Sequence, residues 1–148
     1  MILWFVGLGP ALVWLVFRDR ALDYRLVAAG ALLPDVLDAG FGGARAAHSV
    51  LAGALLLGVV MLATRGRRRV RRRVLAIPIG TFVHLALDGV WQTTRVFWWP
   101  LFGFGLAGAP LPSLDRPLVL TLMMEAVGAV VLWRSWHLFS APGQQVSR

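Results

Sequence analysis

Six side chains in this sequence combine reactive chemistry with apolar surroundings: Asp35, Asp38, His48, His84, Asp88 and Glu125. Asp35 and Asp38 stand three apart, and His84 and Asp88 four apart, so on helices each pair shares a face. An ionised side chain at bilayer depth costs roughly 2.5 to 3.5 kcal/mol, so acids in such segments must meet cations, hydrogen bonds or water. Nearby arginines are few; Arg45 and Arg95 can each neutralise one carboxylate. Two imidazoles with several carboxylates suit a divalent cation, with zinc or manganese as the natural candidates. The chain has no cysteine, which excludes disulfides and thiolate ligands.

Each residue also has a plain structural reading. Pro34, Asp35 and Asp38 can mark the end of a span, and His84 with Asp88 can lock two helices together. His48 can be an interfacial residue at a helix start capped by Ser49. Glu125 can be a packing anchor bonded to a backbone group. His137, beside Arg134 and Trp136, reads as an interfacial side chain outside any site.

The elements that position these groups follow from hydropathy. Of 148 residues, 58% are hydrophobic and 15% charged, too apolar for a surface that faces only water. Apolar stretches run from Met1 to Phe17, Ala46 to Thr64, Val74 to Trp91 and Leu118 to Phe139, each read as long enough to cross about 30 Å of hydrocarbon. A fifth, Leu26 to Gly40, is short and carries Pro34 and two acids. The first stretch lacks a preceding basic residue and a small-residue cleavage site, so it reads as a retained anchor.

Charge decides the fate of the fifth stretch. Seven arginines fall between Arg65 and Arg73. If these and Arg18, Arg20 and Arg25 are cytoplasmic, two crossings must separate them, and Leu26 to Gly40 supplies the second. The expectation is an all-α polytopic membrane bundle of five transmembrane helices, N-terminus outside and C-terminus inside, in the plasma (inner) membrane. Twelve arginines then lie inside, against Arg45, Arg95 and Arg116 outside. Residues 1–139 form one domain and 140–148 a polar cytoplasmic tail. Trp91, Phe97, Trp98 and Trp99 form an outer aromatic belt, and Pro100 to Pro117 reads as an outer loop. The arginine run reads as a solvated loop drawn to anionic lipid, not as a nucleic-acid site. Membrane lipids are the expected partners, with an oligomer or partner protein left open. In this frame Asp35, Asp38, His48, His84, Asp88 and Glu125 all fall in the outer half. Gly53, Gly58 and Gly80 read as points of close helix approach.

Three elements resemble the YdjM-like family of inner-membrane proteins regarded as metal-dependent hydrolases. Leu33-Pro34-Asp35 with Asp38 matches that family's Leu-Pro-Asp-x-x-Asp element. His48-Ser49 is similar to its Thr-His-Ser, and Gly80 with His84 and Asp88 to its Gly-x-x-x-His-x-x-x-Asp. The resemblance covers roughly Ala28 to Phe102, in matching order and spacing, although Gly43-Ala44-Arg45 stands where the family often has His-Arg-Gly.

The resemblance implies hydrolysis at one or two divalent ions, and a site opening near headgroup level makes a lipid-linked ester or phosphoester at the outer leaflet the expected substrate. Asp35, His48, His84 and Asp88 are then the expected metal ligands. Asp38 and Glu125 are the expected catalytic carboxylates, Asp38 orienting a histidine or adding a ligand and Glu125 serving as base. The competing expectation is a non-enzymatic membrane protein, a small transporter or assembly subunit, that uses the same groups for ion passage or helix docking.

Overall fold

The computed structural model describes residues 1–40, 46–106 and 116–140, without the side chains of 136–140. Arg45, half of the expected outer loop (107–115) and the tail beyond Ser140 lie outside the described residues, as do the side chains of Trp136 and His137. The described residues are helical, with no strand among them. They form α1 (Ile2–Phe17), α2 (Tyr24–Gly40), α3 (Val50–Ala63), α4 (Arg68–Val74), α5 (Ala76–Asp88), α6 (Thr94–Phe97) and α7 (Leu118–Ser140), with 3-10 turns at Ala46–His48 and Val90–Gln92.

Local signals set the boundaries. α1 stops at Arg18, which takes a left-handed conformation and returns its N–H to Trp14 O. Asp23 starts α2 by accepting a hydrogen bond from Arg25 N at 3.2 Å. Ser49 caps α3, its Oγ accepting from Ala52 N at 3.1 Å. Gly89, at φ 73°, ends α5.

The arginine run departs from the expected loop: Arg68–Val74 is helix α4. Arginine is a good helix former. Across from it, Asp19 and Asp23 in the α1–α2 connection relieve the crowding of like charge. Arg72 reaches Asp19 at 3.1 Å and Arg73 reaches Asp23 at 2.9 Å. The Asp19 carboxyl is held below its ordinary range, first by the N–H of Ala21 and then by Arg72.

α2 packs chiefly on α5, and α1 lies on both α2 and α7. Glycine permits this. A Cβ on Gly30 would run into the Ile77 carbonyl, and one on Gly80 into that of Val27, so the two backbones touch. Gly7 and Gly128 do the same for α1 and α7, while Gly58 faces open space instead of a helix. Val13, Val27 and Ala76 form one buried cluster, and Leu85, Val90 and Val96 another.

Helix lengths differ from the expected spans. Leu118–Ser135 of α7 is the one described helix long and apolar enough to cross a membrane. α1 and α3 are apolar but have 16 and 14 residues, about 24 and 21 Å at 1.5 Å per residue. The stretch from Val74 to Trp91 is interrupted at Leu75 and again at Gly89, leaving 13 residues in α5. Large apolar side chains nonetheless point outward along the helices, with Val16, Leu62 and Leu118 each 72% exposed.

Candidate metal centre

The site starts from a break in backbone bonding. Pro34 has no N–H, so the Gly30 carbonyl loses its usual partner four residues on while α2 continues through it. Thr81 of α5 fills the gap, its Oγ1 lying 3.2 Å from Gly30 O and 3.3 Å from Ile77 O of its own helix. One turn along α5, His84 Nδ1 lies 2.6 Å from Ala31 O. A carbonyl only accepts, so His84 Nδ1 carries the proton and Nε2 presents a lone pair. Phe5 of α1 packs over this ring, with centroids 4.1 Å apart.

His48 is oriented by a different acceptor. Asp38 Oδ2 lies 2.6 Å from His48 Nδ1, and Asp38 Oδ1 accepts from Ala47 N at 3.1 Å. Both oxygens of this buried carboxylate are thereby committed, one to the ring and one to the turn that carries it. His48 Nε2 then faces inward.

Asp35 completes the group. Its Oδ1 lies 3.2 Å from His48 Nε2 and 3.6 Å from His84 Nε2, and the two Nε2 atoms are 3.2 Å apart. His48 and His84 are buried, whereas the Asp35 side chain is 40% exposed, so the group opens to the outside past Asp35. Asp35, His48 and His84 form a set that could hold a metal ion.

The donor chemistry and spacing fit a cation. With each Nδ1 engaged by an acceptor, two Nε2 lone pairs and a carboxylate oxygen converge, an arrangement that repels itself unless a proton or a cation sits among them. A tetrahedral ion with bonds of about 2.0 to 2.1 Å has ligand atoms about 3.3 Å apart, the scale of the observed triangle. A point about 2.1 Å from all three atoms lies just off their plane, leaving one face for water or substrate.

Two of the six expected residues have other partners as well. Asp88, the last residue of α5, turns toward Arg116: its Oδ1 is 3.8 Å from the guanidinium, which also donates to Asp88 O at 2.7 Å. Arg116 is thus a cation that this acid meets. Glu125 holds the start of α1. Its Oε2 accepts from Leu3 N at 2.8 Å, capping the first turn of α1 from α7, and its Oε1 lies 3.6 Å from the Met1 amino group.

Three contributors had no obvious mark in the sequence. The Ala31 carbonyl is backbone and carries no signal. Thr81 could have been found by asking what replaces the N–H missing at Pro34. Phe5 lies 79 residues from the ring it covers, beyond any local pattern. No family model matches this sequence, and no curated protein or solved structure matches it.

Proposed function

We propose that this chain is a membrane-embedded, metal-dependent hydrolase acting on an ester or phosphoester, the lipid-linked substrate entering past Asp35. The observation that carries the reading is the convergence of His48 Nε2, His84 Nε2 and Asp35 Oδ1, with both Nδ1 atoms anchored. Such anchoring fixes tautomer and ring orientation before an ion arrives. A divalent ion held there supplies a Lewis acid and acidifies water near neutral pH. Asp38 and Ala31 position the rings, Phe5 excludes water from one side, and the free face of Asp35 admits the substrate. The motif resemblance to YdjM-like proteins favours hydrolysis over other metal chemistry.

The membrane reading is a five-helix, multi-pass inner-membrane protein with the metal group in the outer half and the arginines inside. It draws on the exposed apolar faces of α1, α3 and α7 and on the clustering of arginines at one end of the chain's helices. α1, α3 and α5 are short for a flat bilayer, and a locally thinned one or flanking turns would accommodate them.

The test is metal content and turnover together. Purified protein is expected to carry about one zinc or manganese per chain, by the ligand arithmetic of a three-residue site, and to cleave a chromogenic ester or phosphoester, with both lost in His84→Ala. A chain without metal sinks the reading. Metal without turnover on any ester or phosphoester favours the non-enzymatic alternative.

A further inference from the structure

A second site lies at the opposite end of α2. A cavity of about 720 Å³ opens between α1, α2 and α7, with Val6, Pro10, Ala28 and Leu132 on its walls. Its rim carries five arginines: Arg20 and Arg25 from the α1–α2 region, and Arg69, Arg72 and Arg73 from α4. Arg25 and Asp35 are ten residues apart on α2, so this rim is about 15 Å along the helix from the metal group.

On the rim, Asp19 and Asp23 engage Arg72 and Arg73. Arg25 and Arg69 have no ion pair with any described residue. Guanidinium forks suit phosphate, which they grip through paired hydrogen bonds. The walls require something else. Val6 stands eleven positions before Phe17 at the inner end of α1, about 16 Å along the helix and close to half of a roughly 30 Å hydrocarbon core. Phosphate alone would leave that apolar cleft unfilled, and nucleic acid would not enter it.

We infer that this cleft seats one anionic phospholipid of the inner leaflet, its phosphate on Arg25 and Arg69 and an acyl chain along Val6, Pro10, Ala28 and Leu132. The inference rests on the membrane reading above, and it turns a general attraction of basic residues for lipid into a built site with a depth and a headgroup. The Arg72–Asp19 and Arg73–Asp23 pairs fix α4 as one side of the rim. They also leave Arg69, one turn earlier, to face the ligand.

The experiment is native mass spectrometry of the full chain in mild detergent, titrated separately with phosphatidylglycerol, phosphatidylcholine and inorganic phosphate. One phosphatidylglycerol should be retained at least tenfold more tightly than phosphatidylcholine. Arg25→Gln with Arg69→Gln should reduce that retention tenfold or more while metal content stays unchanged. Ala28→Phe should reduce it with every arginine intact, and Leu132→Trp takes its place if that variant does not fold. Equal retention of the two lipids, no loss in the arginine variant, or displacement of the lipid by millimolar phosphate each overturns the site. Flotation with pure phosphatidylcholine vesicles separates the two claims. A chain that fails to insert removes the membrane reading and the lipid site with it, whereas one that inserts without preferring phosphatidylglycerol removes the cleft alone.

Discussion

His48 Nε2 and His84 Nε2 face each other at 3.2 Å, and neither ring can turn away. Asp38 holds the far nitrogen of one and the Ala31 carbonyl that of the other, both at 2.6 Å. Neither unprotonated Nε2 can donate to its neighbour, so the contact is favourable only when a proton or a cation lies at the junction. Removing either ring should therefore abolish high-affinity metal binding. His48→Ala and His84→Ala are each expected to lower affinity by more than the ~10- to 100-fold typical of losing an outer partner. Elemental analysis of purified protein and competition with a chromogenic chelator would check this. A variant that keeps full metal content overturns the assignment.

Asp38 should behave differently from Asp35, although the two are one helical turn apart. Asp35 offers an oxygen to the cation position, whereas both Asp38 oxygens are spent on His48 and Ala47 N. Asp38→Asn keeps the shape and an acceptor but weakens the grip on the ring, so a loss of about 10- to 100-fold in metal affinity is expected, with residual binding. Asp35→Ala should leave two ligands and a larger loss. Equal losses in chelator titrations of the two variants would show that Asp38 binds the ion directly.

Spacing made part of this centre legible and hid the rest. The three-residue interval brings Asp35 and Asp38 to one side of α2, where both meet His48, and Ser49 caps α3 as its type and position suggest. The four-residue interval between His84 and Asp88 gives no sign of Arg116, which lies 28 residues later and meets both the carboxylate and the backbone carbonyl of Asp88 at the end of α5. Glu125 likewise has a partner, the N–H of Leu3, that spacing does not reveal. Depth along a helix can be counted from sequence, but the direction a side chain faces depends on which helices become neighbours, and α7 packs on α1 rather than on α5. Helix length differs from hydropathy for a further reason: an apolar run does not register the interruptions at Leu75 and Gly89.

Glu125 gives a control that tests its placement. Glu125→Ala removes the acceptor for Leu3 N and is expected to lower stability by about 1 kcal/mol, as loss of a helix-capping group does. Metal content should not change. Unfolding midpoint and elemental analysis read the two effects separately, and loss of metal with an unchanged midpoint would return Glu125 to the site.

Acid should loosen α4 before it disturbs the rest of the fold. Asp19 titrates below its ordinary 3.8 in the folded chain, because the Ala21 N–H and Arg72 favour its charged form. Since the folded value is the lower one, the stabilisation is present above the unfolded value and is lost as pH falls through the folded value. Hydrogen exchange at the amides of α4, corrected for intrinsic rate, should accelerate as pH drops below about 4, the range of an ordinary Asp carboxyl. Asp19→Asn should show that faster exchange already at neutral pH. Equal protection of the two proteins at pH 7 would mean that the Arg72 pair does not hold this helix.

The contact between α2 and α5 should couple packing to metal binding. His84 reaches Ala31 O and faces His48 because the two helices meet backbone to backbone at Gly30 and Gly80. A methyl group on Gly80 would strike the Val27 carbonyl, an atom that cannot rotate aside as a flexible side-chain tip can. Gly80→Ala is thus expected to destabilise the protein by about 1 to 3 kcal/mol, the range for overpacking, and to push α5 outward. The separation should stretch the hydrogen bond to Ala31 and spread the two Nε2 atoms, so metal affinity falls even though every ligand is present. Gly58→Ala is the matched control: it adds the same methyl in a helix where nothing lies within 4 Å, and helix propensity makes it neutral or slightly stabilising. Parallel melting curves and chelator titrations on the two variants decide the matter. If Gly80→Ala loses stability but binds metal as tightly as the parent chain, the histidine geometry does not depend on how closely α2 and α5 approach.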